Sequence, residues 1–283
     1  MSIATYRARS MAIPVTYLFV PANRTERLGK ALEAGADAVI LDLEDAISPD
    51  DKDAARGRVL EALASRPDAL ARVVIRINDE STPWFEADLE MLRRSSVPVA
   101  MLPKAESAGQ VNRVRNAMIR DGVVVPLIET ARGVDDVGRI AAAAGVHRLA
   151  FGTLDYSVDV GLHGDEQGLI YPGSRIVIAS RCAGILAPIA GVTTALDDED
   201  RLRADVAFAR SLGFNAKLCI HPRQVGVVRD AMLPTAAEID WARRVLAAAE
   251  AARGGVVQVD GKMVDRPVLR AAKSILDRSG RST

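Results

Sequence analysis

Cysteine and histidine are scarce in this 283-residue chain, at two and three copies. Cys182 and Cys219 lie far apart inside apolar segments with no CxxC spacing. That excludes a cysteine metal clip and reads as two small buried hydrophobes in a reducing compartment. Neither sign of charge is in excess: 37 basic and 37 acidic residues give a formal net charge of zero. No basic stripe therefore argues for nucleic acid or an anionic membrane surface, and a small molecule is the default partner. No run reaches the ~18 apolar residues of a membrane span. The segment Met1 to Met11, with Arg7 and Arg9, lacks an apolar core of signal-peptide length, which points to a cytoplasmic protein. Also missing are a solenoid-type repeat and any low-complexity tract.

What is present is a soluble globular composition, 49% hydrophobic and 26% charged. From Val15 onward, short apolar runs alternate with longer helical patterns, which implies βα units and a parallel sheet. The runs cover Thr16–Ala22, Asp37–Asp45, Arg72–Asn78, Pro98–Ala105, Val123–Glu129, Leu149–Asp155, Ala187–Thr194 and Asn215–Pro222. Eight such runs, with no glycine-rich dinucleotide fingerprint after the first, predict a (β/α)8 TIM barrel over residues 1–233, a size usual for that fold. Residues 234–283 read as a C-terminal extension: a helix over about 236–253, a Gly-Gly break, a short hairpin over 256–264 and a final helix. A glycine-rich polar stretch between Tyr156 and Tyr171 is longer than the usual ~2–6 residue βα loop and reads as a cover for a site.

Charge interrupts or ends several of the apolar runs, at Glu44, Asp45, Arg76, Lys104, Glu129, Asp155, Lys217 and His221. A lone buried charge is costly, so each must be paired, bound to a metal or placed at the barrel mouth, where barrels of this type concentrate function. Glu129 and Asp155 each stop an apolar run and supply only oxygen, with no Cys/His cluster beside them. That donor set suits a hard cation, Mg²⁺ or Mn²⁺, with waters and substrate oxygens completing the shell. The planar fork of Arg76 suits a substrate carboxylate. For Lys104 two readings stay open, contact with an anionic substrate or a salt bridge to Glu44 or Asp45. His221, just before Pro222, reads as a residue fixing a turn more than as a general base.

Seven ordered motifs carry a family resemblance: Phe19-Val-Pro-Ala-Asn-Arg, Leu41-Asp-Leu-Glu-Asp-Ala, Val74-Ile-Arg-Ile-Asn, Leu102-Pro-Lys-Ala-Glu, Leu127-Ile-Glu-Thr-Ala-Arg-Gly, Phe151-Gly-Thr-Leu-Asp-Tyr and Ile220-His-Pro-Arg-Gln. In that order they resemble the citrate lyase beta-subunit-like CoA-ester lyases, which include citryl-, malyl- and citramalyl-CoA lyases. The resemblance implies Mg²⁺-dependent Claisen-type cleavage or formation of a 3-hydroxyacyl-CoA, giving an acyl-CoA such as acetyl-CoA and a 2-oxo acid such as oxaloacetate or glyoxylate. It implies Glu129 and Asp155 as metal ligands, and Arg76 as the group that grips the oxo acid. Glu44 and Asp45 are implied as supporting acids, and Asp265 as an acid presented from a tail, in some members a neighbouring subunit's. Arg24, Lys104 and Gly152 complete the implied substrate contacts. An oligomer, a trimer or a multiple of it, is implied as well. Two positions depart from the pattern: Ala22 stands where many relatives have Gly, and Ala190 where relatives often carry Asp. Competing functions are a metal-dependent aldolase acting on free 4-hydroxy-2-oxo acids and a carrier-dependent beta subunit of a citrate lyase complex.

Overall fold

The structure, a computed structural model, describes residues 13–163, 166–252 and 257–279. The segment Met1–Met11 and the Gly254-Gly255 break lie outside them. The eight apolar runs form parallel strands: β1 (Thr16–Pro21), β2 (Ala38–Asp42), β3 (Val73–Arg76), β4 (Val99–Leu102), β5 (Val123–Ile128), β6 (Ala150–Phe151), β7 (Ile189–Ala190) and β8 (Ala216–Cys219). They pair in sequence order, and β1 pairs with β8 to close the barrel.

Alternation along each strand sends every second side chain inward. Tyr17, Ala38, Ile40, Val74, Met101, Val125, Leu127, Ala150, Ile189, Ala216 and Leu218 pack together as the barrel interior. The intervening residues face the helices. These are α1 (Leu28–Glu33), α2 (Lys52–Ser65), α3 (Phe85–Arg94), α4 (Ala108–Ala117), α5 (Ala131–Asp135), α6 (Val137–Ala142), α7 (Thr153–Asp159), α8 (Ile170–Cys182), α9 (Glu199–Leu212) and α10 (Pro222–Met232). Local chemistry starts and stops them. Ser107 and Gln110 form a capping box on α4, and Asp198 accepts from Arg201 N at the start of α9. Gly213, at φ 106°, closes α9 in the left-handed conformation that glycine adopts freely.

The strands are shorter than the apolar runs that announced them. Single backbone bonds prolong the ladders toward the mouth, from Leu43 N to Arg76 O and from Gly152 N to Ile128 O. Beyond them the chain turns out into the loops that carry the charged residues. At the opposite end Arg148 is fully buried and donates to Ala187 O, Pro14 O and the Tyr17 hydroxyl, with Asn215 Oδ1 as a further partner. That guanidinium ties together the entries to β1, β7 and β8, so its charge is structural.

Two sequence expectations change here. The stretch between Tyr156 and Tyr171 is largely helical: α7 runs to Asp159, a 3-10 turn covers Glu166–Leu169, and α8 starts at Ile170. Cys182, read as buried, is exposed in the last turn of α8, while Cys219 is buried as expected. Its apolar neighbours in sequence misled, because a helix end shows part of even an apolar segment to water.

The chain forms two compact units, the first ending at Arg229 and the second beginning at Asp230. In the second, α11 (Ala236–Ala251), an antiparallel hairpin of β9 (Val257–Val259) and β10 (Lys262–Val264), and α12 (Arg266–Ser279) surround a small core of Ala242, Val245 and Ala272. Asp260 at φ 52° and Gly261 at φ 73° make the tight Asp-Gly turn of the hairpin.

Candidate active site

The inward parity of the strands continues past their ends and delivers charge to the mouth. Two residues beyond Ile40 is Asp42, and two further is Glu44. Arg76 follows Val74 in the same way, and Glu129 follows Leu127. All four are buried, Glu129 at 2% exposure. They form one connected cluster.

Arg76 is held bidentately by Asp42, with Nε to Oδ1 at 2.7 Å and Nη2 to Oδ2 at 2.8 Å. Its Nη1 lies 2.9 Å from Glu44 Oε2, close enough to pair but off the axis of a hydrogen bond, and Asp45 is 3.3 Å from Nη2. The guanidinium stacks 4.8 Å above the Phe19 ring. Burial works against its charge, and Asp42 and Glu44 more than compensate, so Arg76 is held firmly ionised. Asp42 was not singled out in the sequence, yet it is the main anchor of Arg76; its signal was the inward parity of β2.

Lys104 Nζ pairs with Glu44 Oε1 at 2.6 Å, which realises the salt-bridge reading. Burial acts against the ammonium but Glu44 outweighs it and raises the Lys104 pKa. Burial also raises the Glu44 pKa, opposed by Arg76 and Lys104. Behind this group, Lys52 is buried with Nζ donating to Leu43 O, Glu44 O and Asn78 Oδ1 at 2.6–2.7 Å. Asn78 is in turn fixed by Asp88, which pairs with Arg56. Sequence reading missed this bracket, because Lys52 and Asp88 sit in helical first turns where charge is commonplace.

Glu129 directly follows β5. Its Oε1 accepts from the backbone N of Lys104 at 2.8 Å. Its Oε2 lies over Gly152, where an added Cβ would come within 2.3 Å. Glycine at 152 is therefore required for the carboxylate to sit there. Burial, then the charges of Glu44 and Asp155, push the Glu129 pKa up to about 8. Asp155 is not at a strand end as expected. It lies in the first turn of α7, exposed, because the chain becomes helical straight after Gly152.

Asp42, Glu44, Asp45, Glu129 and Asp155 thus converge on Arg76 and Lys104, with Lys52 behind them. Among the described residues no group of three or more His, Cys, Asp or Glu side chains has a metal-binding arrangement. A two-carboxylate donor set still suits Mg²⁺, which keeps several waters and takes substrate oxygens. The raised Glu129 pKa, caused by burial and neighbouring acids, is relieved by a cation at that point. The other expected residues lie apart. Arg24 is exposed in the 3-10 segment Ala22–Arg27 beside Glu26, and His221 accepts from Arg223 N at 3.2 Å, fixing the turn into α10. Lys217 faces the helix layer, and Asp265, in the second unit, accepts from Val268 N at the start of α12.

A closed parallel barrel with buried carboxylates at the carboxyl ends of its strands defines a protein of the (β/α)8 class, whose ligand sites lie at that face. The chain belongs to the HpcH/HpaI aldolase/citrate lyase family, whose model matches residues 16–222. It is 39% identical to a citrate lyase subunit beta-like protein of Mycobacterium tuberculosis, over 94% of this chain and 96% of that one. It is 32% identical to a (3S)-malyl-CoA thioesterase of Cereibacter sphaeroides, over 93% of each. Among solved structures, it resembles protein CitE from Mycobacterium tuberculosis in complex with magnesium, acetoacetate and coenzyme A. The TM-score is 0.84 and the identity 37%, over 95% of this chain and 99% of that one. The protein is thus an enzyme of a lyase family.

Proposed function

We propose that this protein is a Mg²⁺-dependent carbon-carbon lyase acting on a 3-hydroxyacyl-CoA of the malyl-, citramalyl- or citryl-CoA type. The observation that carries the reading is the Glu129 carboxylate, buried above Gly152 at the mouth of a barrel of this family and within reach of the charge of Asp155. Glu129 and Asp155 would hold the Mg²⁺, which when bound polarises the carbonyl of the 2-oxo acid unit. Arg76 supplies a fixed positive charge: its Nε–Nη2 edge is taken by Asp42, and Nη1 lies 2.9 Å from Glu44 Oε2 without a hydrogen bond to it, so the Nη1 donors can serve a substrate carboxylate. Glu44 acts by holding Lys104 and Arg76 in place.

In cleavage a base takes the proton of the 3-hydroxyl, the C3–O bond becomes the carbonyl of the 2-oxo acid as the C2–C3 bond breaks, and that electron pair becomes the enolate of the departing acyl-CoA. Asp265, from its own or a neighbouring subunit, returns a proton to that carbon, and in condensation removes it. Arg24, in an open groove that Arg58 shares with Glu26, Asp51 and Glu61, is the candidate contact for the phosphates of CoA. The magnesium and coenzyme A of the Mycobacterium tuberculosis structure support both assignments.

The test is to incubate the pure protein with Mg²⁺ and malyl-CoA, citramalyl-CoA, citryl-CoA or the free acids, following 2-oxo acid and free thiol separately. Release of the 2-oxo acid from a CoA ester is expected. Thiol without oxo acid would identify a thioesterase, the activity named for the Cereibacter relative. Turnover of free hydroxy-oxo acids alone would identify an aldolase. Activity only with a co-purified acyl carrier would identify a citrate lyase subunit.

A further inference from the structure

A pocket of about 410 Å³ lies outside the barrel wall, between β6–β8 and helices α7 and α9. It is separate from the barrel interior, because Ala150, Ile189, Ala216 and Leu218 point inward, so their neighbours Phe151, Ala190 and Lys217 face the helices. Its size falls within the ~300–1,000 Å³ of small-molecule sites. Phe151, Leu169, Phe208, Leu212 and Phe214 make its walls apolar. Lys217 contributes a cation, with only 3% of the residue exposed.

That ammonium is under-used. Lysine carries three donors, and among the described residues the ammonium of Lys217 donates one hydrogen bond, to Gly191 O at 2.6 Å. Of the two carboxylates in the lining, Asp205 and Glu166, the first is engaged elsewhere: its Oδ2 accepts from the Thr193 hydroxyl at 2.6 Å, and Oδ1 lies 2.7 Å from Arg201 Nε. Arg201 is itself tied to Glu166 at 2.8 Å. Among the described residues no carboxylate is hydrogen-bonded to the Lys217 ammonium, and the nearby charge of Asp205 only partly offsets its burial. Its pKa is accordingly lowered to about 8 by burial. An anion entering the pocket would accept the remaining donors of Lys217 and add to the partial counter-charge of Asp205. Arg201 of the lining is already tied to Asp205 and Glu166, so the Lys217 ammonium beside the apolar walls matches one carboxylate on a hydrocarbon body.

We infer that this pocket is a second ligand site, for a small aliphatic monocarboxylate whose head group binds Lys217 and whose chain fills the space between Phe151, Phe214 and Leu212. The site adjoins α7, the helix that carries Asp155, but makes no use of the candidate metal ligands. It stands whichever reaction the barrel mouth performs.

Calorimetric titration of the full-length protein with propanoate, pentanoate and heptanoate tests this, with the corresponding methyl esters as uncharged controls. Saturable binding that tightens with chain length until the pocket is filled is expected, with the esters at least tenfold weaker. Lys217→Met should weaken carboxylate binding at least tenfold, and Ala195→Trp, which narrows the mouth and leaves Lys217 intact, should do the same. If Lys217→Met does not fold, the ester comparison and Ala195→Trp decide. Absence of saturable binding to the wild-type protein would overturn the inference, as would equal binding of acids and esters or undiminished binding by a folded variant.

Discussion

The backbone amide of Lys104 donates to Glu129 while its side chain reaches Glu44, and both are possible because Lys104 sits at φ 45°, in the left-handed region. For a residue with a Cβ that conformation costs about 1–2 kcal/mol. The strain is concentrated where one residue links two of the acids at the mouth. Lys104→Gly should relieve it and keep the amide on Glu129, whereas Lys104→Ala keeps it and loses the ion pair. Urea unfolding should therefore find Lys104→Gly more stable than Lys104→Ala by about 1 kcal/mol. Both should lose activity together, since neither retains the ammonium on Glu44. Equal stability of the two would remove strain from the account.

Gly152→Ala is a sharper probe of the metal site than removal of a ligand. Gly152 has an ordinary φ of −86°, so alanine strains no backbone. The added methyl instead occupies the space of Glu129 Oε2. Mg²⁺ binding followed by calorimetry should weaken by at least tenfold, roughly 1.4 kcal/mol, with the circular dichroism spectrum unchanged. Unaltered Mg²⁺ affinity would place the metal away from Glu129.

Much of this was legible in the sequence. The apolar runs at Val73–Arg76 and Val123–Ile128 announce strands by length and β-branching, and the charged residues that end them fall at the mouth by parity. Less visible was which charge meets which. Asp42 and Glu44 both project inward from one strand exit, and only the three-dimensional arrangement assigns the first bidentately to Arg76 and the second to Lys104. The Lys52–Asn78–Asp88–Arg56 chain joins residues up to 32 positions apart, and no local pattern encodes such a link. Asp155 shows a different gap: an apolar run cannot reveal that its last residues, after Gly152, turn helical.

Arg76 and Asp42 should prove more important to each other than to stability as such. Removing Arg76 alone leaves two buried carboxylates short of a partner, which costs about 3–5 kcal/mol. The pair replaced together by apolar groups, Arg76→Met with Asp42→Leu, should recover most of that loss in urea unfolding while 2-oxo acid binding stays absent. A double variant no more stable than Arg76→Met would show that Asp42 does not depend on Arg76.

Asp265 can be tested without knowing where its unit sits. If the acid serves a neighbouring subunit, mixing and reassembling Asp265→Asn with Glu129→Gln, each inactive alone, should regenerate sites with both residues intact. For a trimer with random mixing, restored activity would be a substantial fraction of wild type. If Asp265 serves its own subunit, the mixture stays inactive. An Asp265→Asn protein of near-normal activity would exclude the residue from proton transfer altogether.

Lys217 gives the fold a pH signature of definite sign. Folding lowers its pKa from 10.5 to about 8 by burial, so between those values the unfolded chain binds more protons than the folded one. Stability therefore rises with pH across that window, and the full destabilisation is present below about 8. Cys219 acts the opposite way: burial raises its pKa from 9.0 to about 12, and above pH 9 this lowers stability. The two are separated by comparing the wild type with Lys217→Met, since both keep Cys219. Unfolding free energies measured from pH 7 to 10.5 should show the wild type gaining on the variant by on the order of 1–3 kcal/mol as pH rises. A gap that stays constant with pH would mean that Lys217 keeps its ordinary ionisation in the fold, and with it would go the burial argument for an unsatisfied cation.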